Sequence, residues 1–454
     1  MKDAFDALDE EITEGARSPI SGVTSALGAG EALSAAEKKR VIAELPAYLY
    51  VQIAWFMAFG LQMVVFPYLL KNVLGVSGTL LGVAQMALSL PSVVFILLGG
   101  VVAERTDGRK LLLIFHTLAA LPAFALSFAL RVDALSYWLM IIYALAMGTI
   151  GAFMMPARDA ILNEIVARRA AMGSKLTLQQ GVAFATIAQF AAQIAGLTLG
   201  GMATRLGAWP LLSLQAVIVA SGAIAAIWLV KGEMASSRRG GFGAVWSDMK
   251  DGLSTVRRNP ILLSMVASMF GVGVFVIGAF LVLLPIVNAD VYNKDSSGLR
   301  NIFVTFWAGA FVSSVAISWF KNLERQGRLL LMAQFIGSMC ILVLVEEVPY
   351  HTFLCLVFIW GLASGVSITM SRSIVQSAAP PDKLARVLSI YQLGFMGGAP
   401  LGAALMGVVV DQTGPQLVAL VPAIGMIALI IFMVVATPIW TLSAPKKAAD
   451  TASD

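Results

Sequence analysis

Charge is what this chain has least of. Only 13% of its 454 residues are Asp, Glu, Lys or Arg, about half the share found in soluble globular chains. It has two cysteines, Cys340 and Cys355, and two histidines, His116 and His351. Both cysteines lie inside apolar runs and read as small core residues, so neither a disulfide nor a thiolate metal site is expected. No loop gathers His, Asp, Glu and Cys, so the convergent groups of an enzyme are missing and no cofactor is expected. The start of the chain lacks a basic stretch. Asp3, Asp6, Asp9, Glu10, Glu11 and Glu14 crowd it instead, which argues against a cleavable signal peptide. The net charge of +5 does not point to nucleic acid, because its sign follows from where the basic residues sit along the chain.

What the chain does have is long apolar runs: 59% of residues are hydrophobic and the mean hydropathy is +0.85. Twelve apolar segments are predicted as membrane helices, at 47–70, 79–103, 110–130, 136–157, 175–203, 208–230, 261–287, 299–320, 328–346, 352–376, 384–410 and 415–438. Most have at least about 20 residues, enough to cross about 30 Å of hydrocarbon. Residues 1–45 form an N-terminal tail with a short surface helix before Pro46, and 439–454 a polar C-terminal tail. With the N-terminus placed in the cytoplasm, 26 of the 31 lysines and arginines fall on the inner side; Lys71, Arg131, Arg205, Lys294 and Arg300 fall outside. The positive-inside rule therefore supports both twelve crossings and two cytoplasmic termini.

Residues 231–260 are the longest interior linker. Phe242, Val245, Trp246, Met249, Leu253 and Val256 recur there at helical spacing with charges between, an amphipathic helix lying along the membrane surface. The linker separates a bundle at 46–230 from a second at 261–438. The halves echo each other. Arg158 and Arg372 each end a predicted helix, the fourth and the tenth, 214 positions apart, and each is followed by a polar connector and a glycine-rich helix. Duplicated six-helix halves are a common transporter plan.

Between the second and third helices stands Gly100-Val101-Val102-Ala103-Glu104-Arg105-Thr106-Asp107-Gly108-Arg109-Lys110. It resembles the loop signature of the major facilitator superfamily, with Glu104 for the usual aspartate and Asp107 for the second glycine. Pro156-Ala-Arg158-Asp159-Ala160-Ile161 and Lys383-Leu384-Ala385-Arg386-Val387-Leu388-Ser389 resemble the branch containing enterobactin exporters and macrolide efflux pumps. The resemblance implies an all-α fold of two pseudo-symmetric six-helix bundles, in a plasma (inner) membrane. It also implies a monomer that moves a small-molecule substrate by alternating access, with protons as a candidate coupling ion. It further implies that Glu104 faces the start of the eleventh helix and pairs with Arg158, stabilising the outward-open state. Gly100, Arg105, Asp107, Arg109, Lys110, Arg372, Asp382 and Arg386 complete the expected gating set.

Polar and aromatic residues at helical spacing mark a candidate substrate path. They are Gln52, Trp55, Phe59 and Gln62 on the first helix, Gln85 on the second, and Gln189 and Gln193 on the fifth. Trp360 and Ser364 on the tenth and Tyr391 and Gln392 on the eleventh join them. Unpaired amides are costly in lipid, so these stripes face the interior. No Asp, Glu, Lys or Arg lies at mid-depth in any predicted span. His116 is therefore the one residue offered for proton coupling, beside the commoner role of a hydrogen-bonded structural histidine. Lack of counter-charge favours an amphiphilic or uncharged organic substrate; a lysophospholipid transporter, whose family the loop also resembles, and a non-transporting membrane protein are the alternatives.

Overall fold

The computed structural model describes residues 35–174, 176–229, 242–319, 325–380 and 383–442. Twelve long helices run up and down the described chain. The first six are α1 (Ala35–Tyr68), α2 (Gly78–Arg105), α3 (Gly108–Arg131), α4 (Tyr137–Ala171), α5 (Leu178–Gly200) and α6 (Ala208–Ala226). The amphipathic helix of the linker follows at Phe242–Arg258. The second six are α7 (Pro260–Val291), α8 (Ser296–Trp319), α9 (Gln326–Val343), α10 (Tyr350–Ala378), α11 (Leu384–Leu417) and α12 (Leu420–Ala436).

Eleven of these are long and apolar enough to cross a membrane, and α12 is shorter. The shortfall of α12 is a matter of where α11 ends. Gly414 adopts φ 85° and ψ 169° inside α11, a conformation that L-residues avoid. The backbone turns there, so the twelfth crossing starts at Pro415.

Side chains placed just ahead of each helix fix where it starts. Ser77, Asp107, Ser136 and Asn259 each accept a hydrogen bond from the first turn of the following helix, and Thr177 forms a capping box with Gln180. Asp107, expected in the gate, is thus the N-cap of α3, at 3.0 Å from the Arg109 amide. Its place in the signature, one residue before a helix-starting glycine, carried that signal.

The expected helix ends need correction at the side where α2 turns into α3. Helix α1 starts at Ala35 as one continuous helix, and α4 runs on to Ala171. Arg158 therefore sits inside α4 with more than three turns beyond it, and Arg372 lies inside α10, which ends at Ala378. The polar stretch 159–171 keeps strong helix formers and no glycine or proline, so it continues the helix into water.

Helices α1–α6 pack on one another, chiefly α2 on α4, α1 on α5 and α3 on α6; α7–α12 pack likewise, chiefly α8 on α10, α9 on α10 and α7 on α11. The α1–α5 and α7–α11 crossings are copies of each other. Glycines let backbone meet backbone in both: Gly60 and Gly196 in the first, Gly273 and Gly402 in the second.

Candidate functional site

The two halves join at the end of the molecule where α1 turns into α2. Asp411, at the far end of α11, reaches the first residues of α2. Its two carboxylate oxygens accept the Gly78 amide at 2.7 Å and the Thr79 amide at 2.8 Å. A carboxylate at a helix N-terminus meets both free N–H groups and the positive end of the dipole. The backbones touch just below. A Cβ on Gly82 would stand 2.5 Å from the Ala403 carbonyl oxygen, and one on Gly407 equally close to that of Gly78. Only glycine permits this crossing.

Further contacts tighten the same end. Lys71 and Asp290 pair at 2.8 Å, with the lysine mostly buried. Ser296 donates to the Gly201 carbonyl at 3.2 Å and meets the Thr204 hydroxyl at 2.8 Å. Burial pushes the neighbouring Asp295 carboxyl up, yet hydrogen bonds from Ser297 and Thr204 outweigh it and hold the group below the usual carboxylate range. Midway along the helices Phe190 of α5 packs on Trp307 and Phe311 of α8, with ring centres 6.1 and 5.4 Å apart. Gln85 donates across to the Leu281 carbonyl at 3.1 Å.

At the opposite end, where α2 turns into α3, Glu104, Arg105 and Gly100 have side-chain surroundings outside the described residues, as does all of Asp382. Arg109 is half-buried, and Lys110 and Arg372 are exposed. Arg158 bonds through Nε and Nη2 to its neighbour Asp159, at 3.0 and 2.9 Å. It lies over the Phe56 ring at 5.2 Å, and its buried Nη1 has no hydrogen-bond partner. Arg386 turns to the linker helix. It bonds Asp251 at 2.6 Å while Lys383 bonds the other oxygen at 2.8 Å. Those two donors, Lys383 first, hold the Asp251 carboxyl below the usual range.

The candidate substrate residues divide. Gln62 accepts from Tyr143 at 3.2 Å, and Tyr143 accepts from Gln215 at 3.1 Å, a buried relay joining α1, α4 and α6. Gln193 is buried against the Met63 sulfur, and Trp360 sits in an aromatic cluster with Phe280 and Phe306. Tyr391 is buried and bonds Ser371 at 2.7 Å. Gln52 donates to Tyr48 and keeps an unpartnered Oε1. Trp55 stands edge-on to His116. These six serve the packing within a half, while Gln85 bonds across to α7. Phe59 and Gln392 are exposed, and Gln189 and Ser364 half-buried. His116 is fully buried, with Nδ1 at 2.9 Å from the Leu112 carbonyl and Nε2 unpartnered.

The sequence reading missed four groups. They are the Asp411 cap, the Lys71–Asp290 pair, the Tyr143–Gln215 link, and a buried pair in which Glu44 takes two bonds from Arg168 at 2.8 and 3.1 Å. Asp411 and its partners lie over 330 positions apart, and no local pattern connects them. Tyr143 and Gln215 were each visible as a polar residue inside an apolar span.

Comparisons with known proteins agree with this geometry. Residues 49–395 match the profile of the Major Facilitator Superfamily. Macrolide efflux protein A of Streptococcus pyogenes is 22% identical over 366 residues, covering 78% of this chain and 86% of that protein. Probable anion transporter 5 of Arabidopsis thaliana is 28% identical over 141 residues; the match spans about a third of that protein, 32%, and 31% of this chain. The crystal structure of nucleoside transporter NupG superposes with a TM-score of 0.68 at 14% identity, covering 86% of this chain and 98% of that one. A bacterial homolog of the human lysosomal transporter Spinster, in an inward-facing and unoccupied conformation, gives 0.59 at 13% identity over 90% and 97%. The structural likenesses establish the fold, and the match over most of the chain establishes the family. This twelve-helix membrane chain, not an enzyme, belongs to the major facilitator superfamily of transporters.

Proposed function

We propose that this protein is a secondary active exporter of amphiphilic or uncharged organic small molecules that works by alternating access as a monomer. In this reading the end sealed by Asp411 faces outward and the loop at 104–110 faces the cytoplasm, so the structure is the inward-open state. The observation that carries the reading is the Asp411 carboxylate on the α2 N-terminus. It is a bond between halves that exists only while their outer ends are together, which is what a gate requires. Glu104 is the matching element at the other end: it closes the cytoplasmic side against the start of α11 once the outer bond is released. Arg158, with one buried donor unpartnered here, is its natural counterpart. The likeness to a macrolide efflux protein over 78% of this chain supports export and an amphiphilic cargo.

Flux in proteoliposomes tests the reading. Efflux of a macrolide by the wild type, slowed or abolished by Glu104→Gln at unchanged expression and melting temperature, is the expected result. Normal flux in that variant would remove the loop carboxylate from the mechanism. Movement of lysophospholipid without macrolide would favour the lipid cargo instead.

A further inference from the structure

A groove of about 410 Å³ lies between α1 and α6 at the end where α2 turns into α3. Ala43, Ala47 and Ala225 line it together with Tyr50, Ile224 and Trp228. Those last three are 48%, 63% and 68% exposed, so the groove opens sideways, away from the packing between halves. At its polar corner Tyr50 donates to Ser221 at 3.1 Å. An exposed tryptophan at this depth fits the boundary between hydrocarbon and headgroups.

The rim beyond the groove is cationic. Lys39, Ala43 and Ala47 follow each other at four-residue spacing, so they form one stripe along α1, with Lys39 one turn past the groove. Lys39 and Arg40 are both exposed. Arg169 reaches the same turn. Pro46 has no N–H and leaves the Ile42 carbonyl without its helical donor. Arg169 Nη2 supplies that bond at 2.6 Å, while its buried Nε has no partner.

We propose that this groove is a binding site for one anionic phospholipid, an acyl chain lying on Ala43, Ala47 and Ala225 under Trp228, its phosphate held by Lys39 and Arg40 with Arg169 behind them. The apolar floor alone fits any acyl chain. The basic rim selects the headgroup, because each Lys or Arg near the surface is worth about fivefold in affinity for an anionic lipid.

The test uses the full chain in phosphatidylcholine nanodiscs doped with a small fraction of phospholipid brominated on its acyl chains. Subtracting Trp228→Phe isolates one indole among nine. Brominated phosphatidylglycerol is expected to quench Trp228 with an apparent affinity at least fivefold above that of brominated phosphatidylcholine. Lys39→Gln with Arg40→Gln, surface changes that leave the melting temperature alone, should bring the two lipids to parity. Ala47→Phe should remove the preference by filling the floor. Equal quenching by the two lipids in the wild type overturns the proposal, as does a preference that survives either variant.

Discussion

Replacing Asp411 with Asn is the sharpest probe of the junction between the halves. The carboxylate accepts two backbone amides at 2.7 and 2.8 Å. Asparagine keeps one acceptor and points an amide donor at the other N–H. A hydrogen bond to a charged group contributes about 1.5–3 kcal/mol. Asp411 is exposed, so water and salt reduce that, and about 1–2 kcal/mol is the reasonable loss. In the proposed cycle this bond is made only while the ends of α2 and α11 touch, so the loss falls on one state alone. It shifts the equilibrium toward the outward-open state about 5–30-fold, at 1.4 kcal/mol per tenfold. Spin labels at Val73 and Leu417, 49% and 52% exposed at this end, on opposite halves, report the separation. Cys340→Ala and Cys355→Ser provide a background without other thiols. A second, longer distance should grow in the Asp411→Asn variant by that factor. An unchanged distance distribution would refute the role given to this contact.

Three further outcomes are expected. Tyr143→Phe removes the hydroxyl between Gln62 and Gln215 and leaves two buried amides short of a partner, which costs about 1–3 kcal/mol. A lower melting temperature with transport retained is the prediction, and an unchanged one would show that the relay is not structural. His116→Ala should leave any pH dependence of flux intact, since the ring is enclosed by Leu112, Trp55 and Gly222; its disappearance would make His116 the coupling site. Asp251→Asn should free the linker helix from Lys383 and Arg386 and speed proteolysis within it. Because the folded-state pKa of Asp251 is lowered from 3.8, its contribution is fully present above that value and lost only as pH falls through the lower one. Cleavage should therefore be flat across neutral pH and rise only in strong acid; a rise near neutrality would contradict the pairing.

Much of the architecture follows from local chemistry. Apolar runs of membrane length, the one-sided distribution of basic residues and the signature at 100–110 already specify twelve helices in two related bundles, because each signal depends only on neighbours in the chain. The starts of α2 and α4 are likewise locally determined, as Ser77 and Ser136 show: a short hydroxyl side chain ahead of an apolar run caps the helix that follows. The far ends of α1 and α4 are not, because those helices continue past the apolar run on propensity and on the Glu44–Arg168 pair between them.

What the sequence could not decide is which polar residues meet each other. Gln62, Gln193 and Trp360 share faces with cavity candidates, yet neighbours from other helices enclose them. Asp411 lies at the far end of α11, and only the fold sets it on Gly78 and Thr79. Helical periodicity tells which side of one helix a residue lies on. What stands opposite depends on how the helices pack, and partners such as Asp411 and Gly78 are set by the tertiary structure alone.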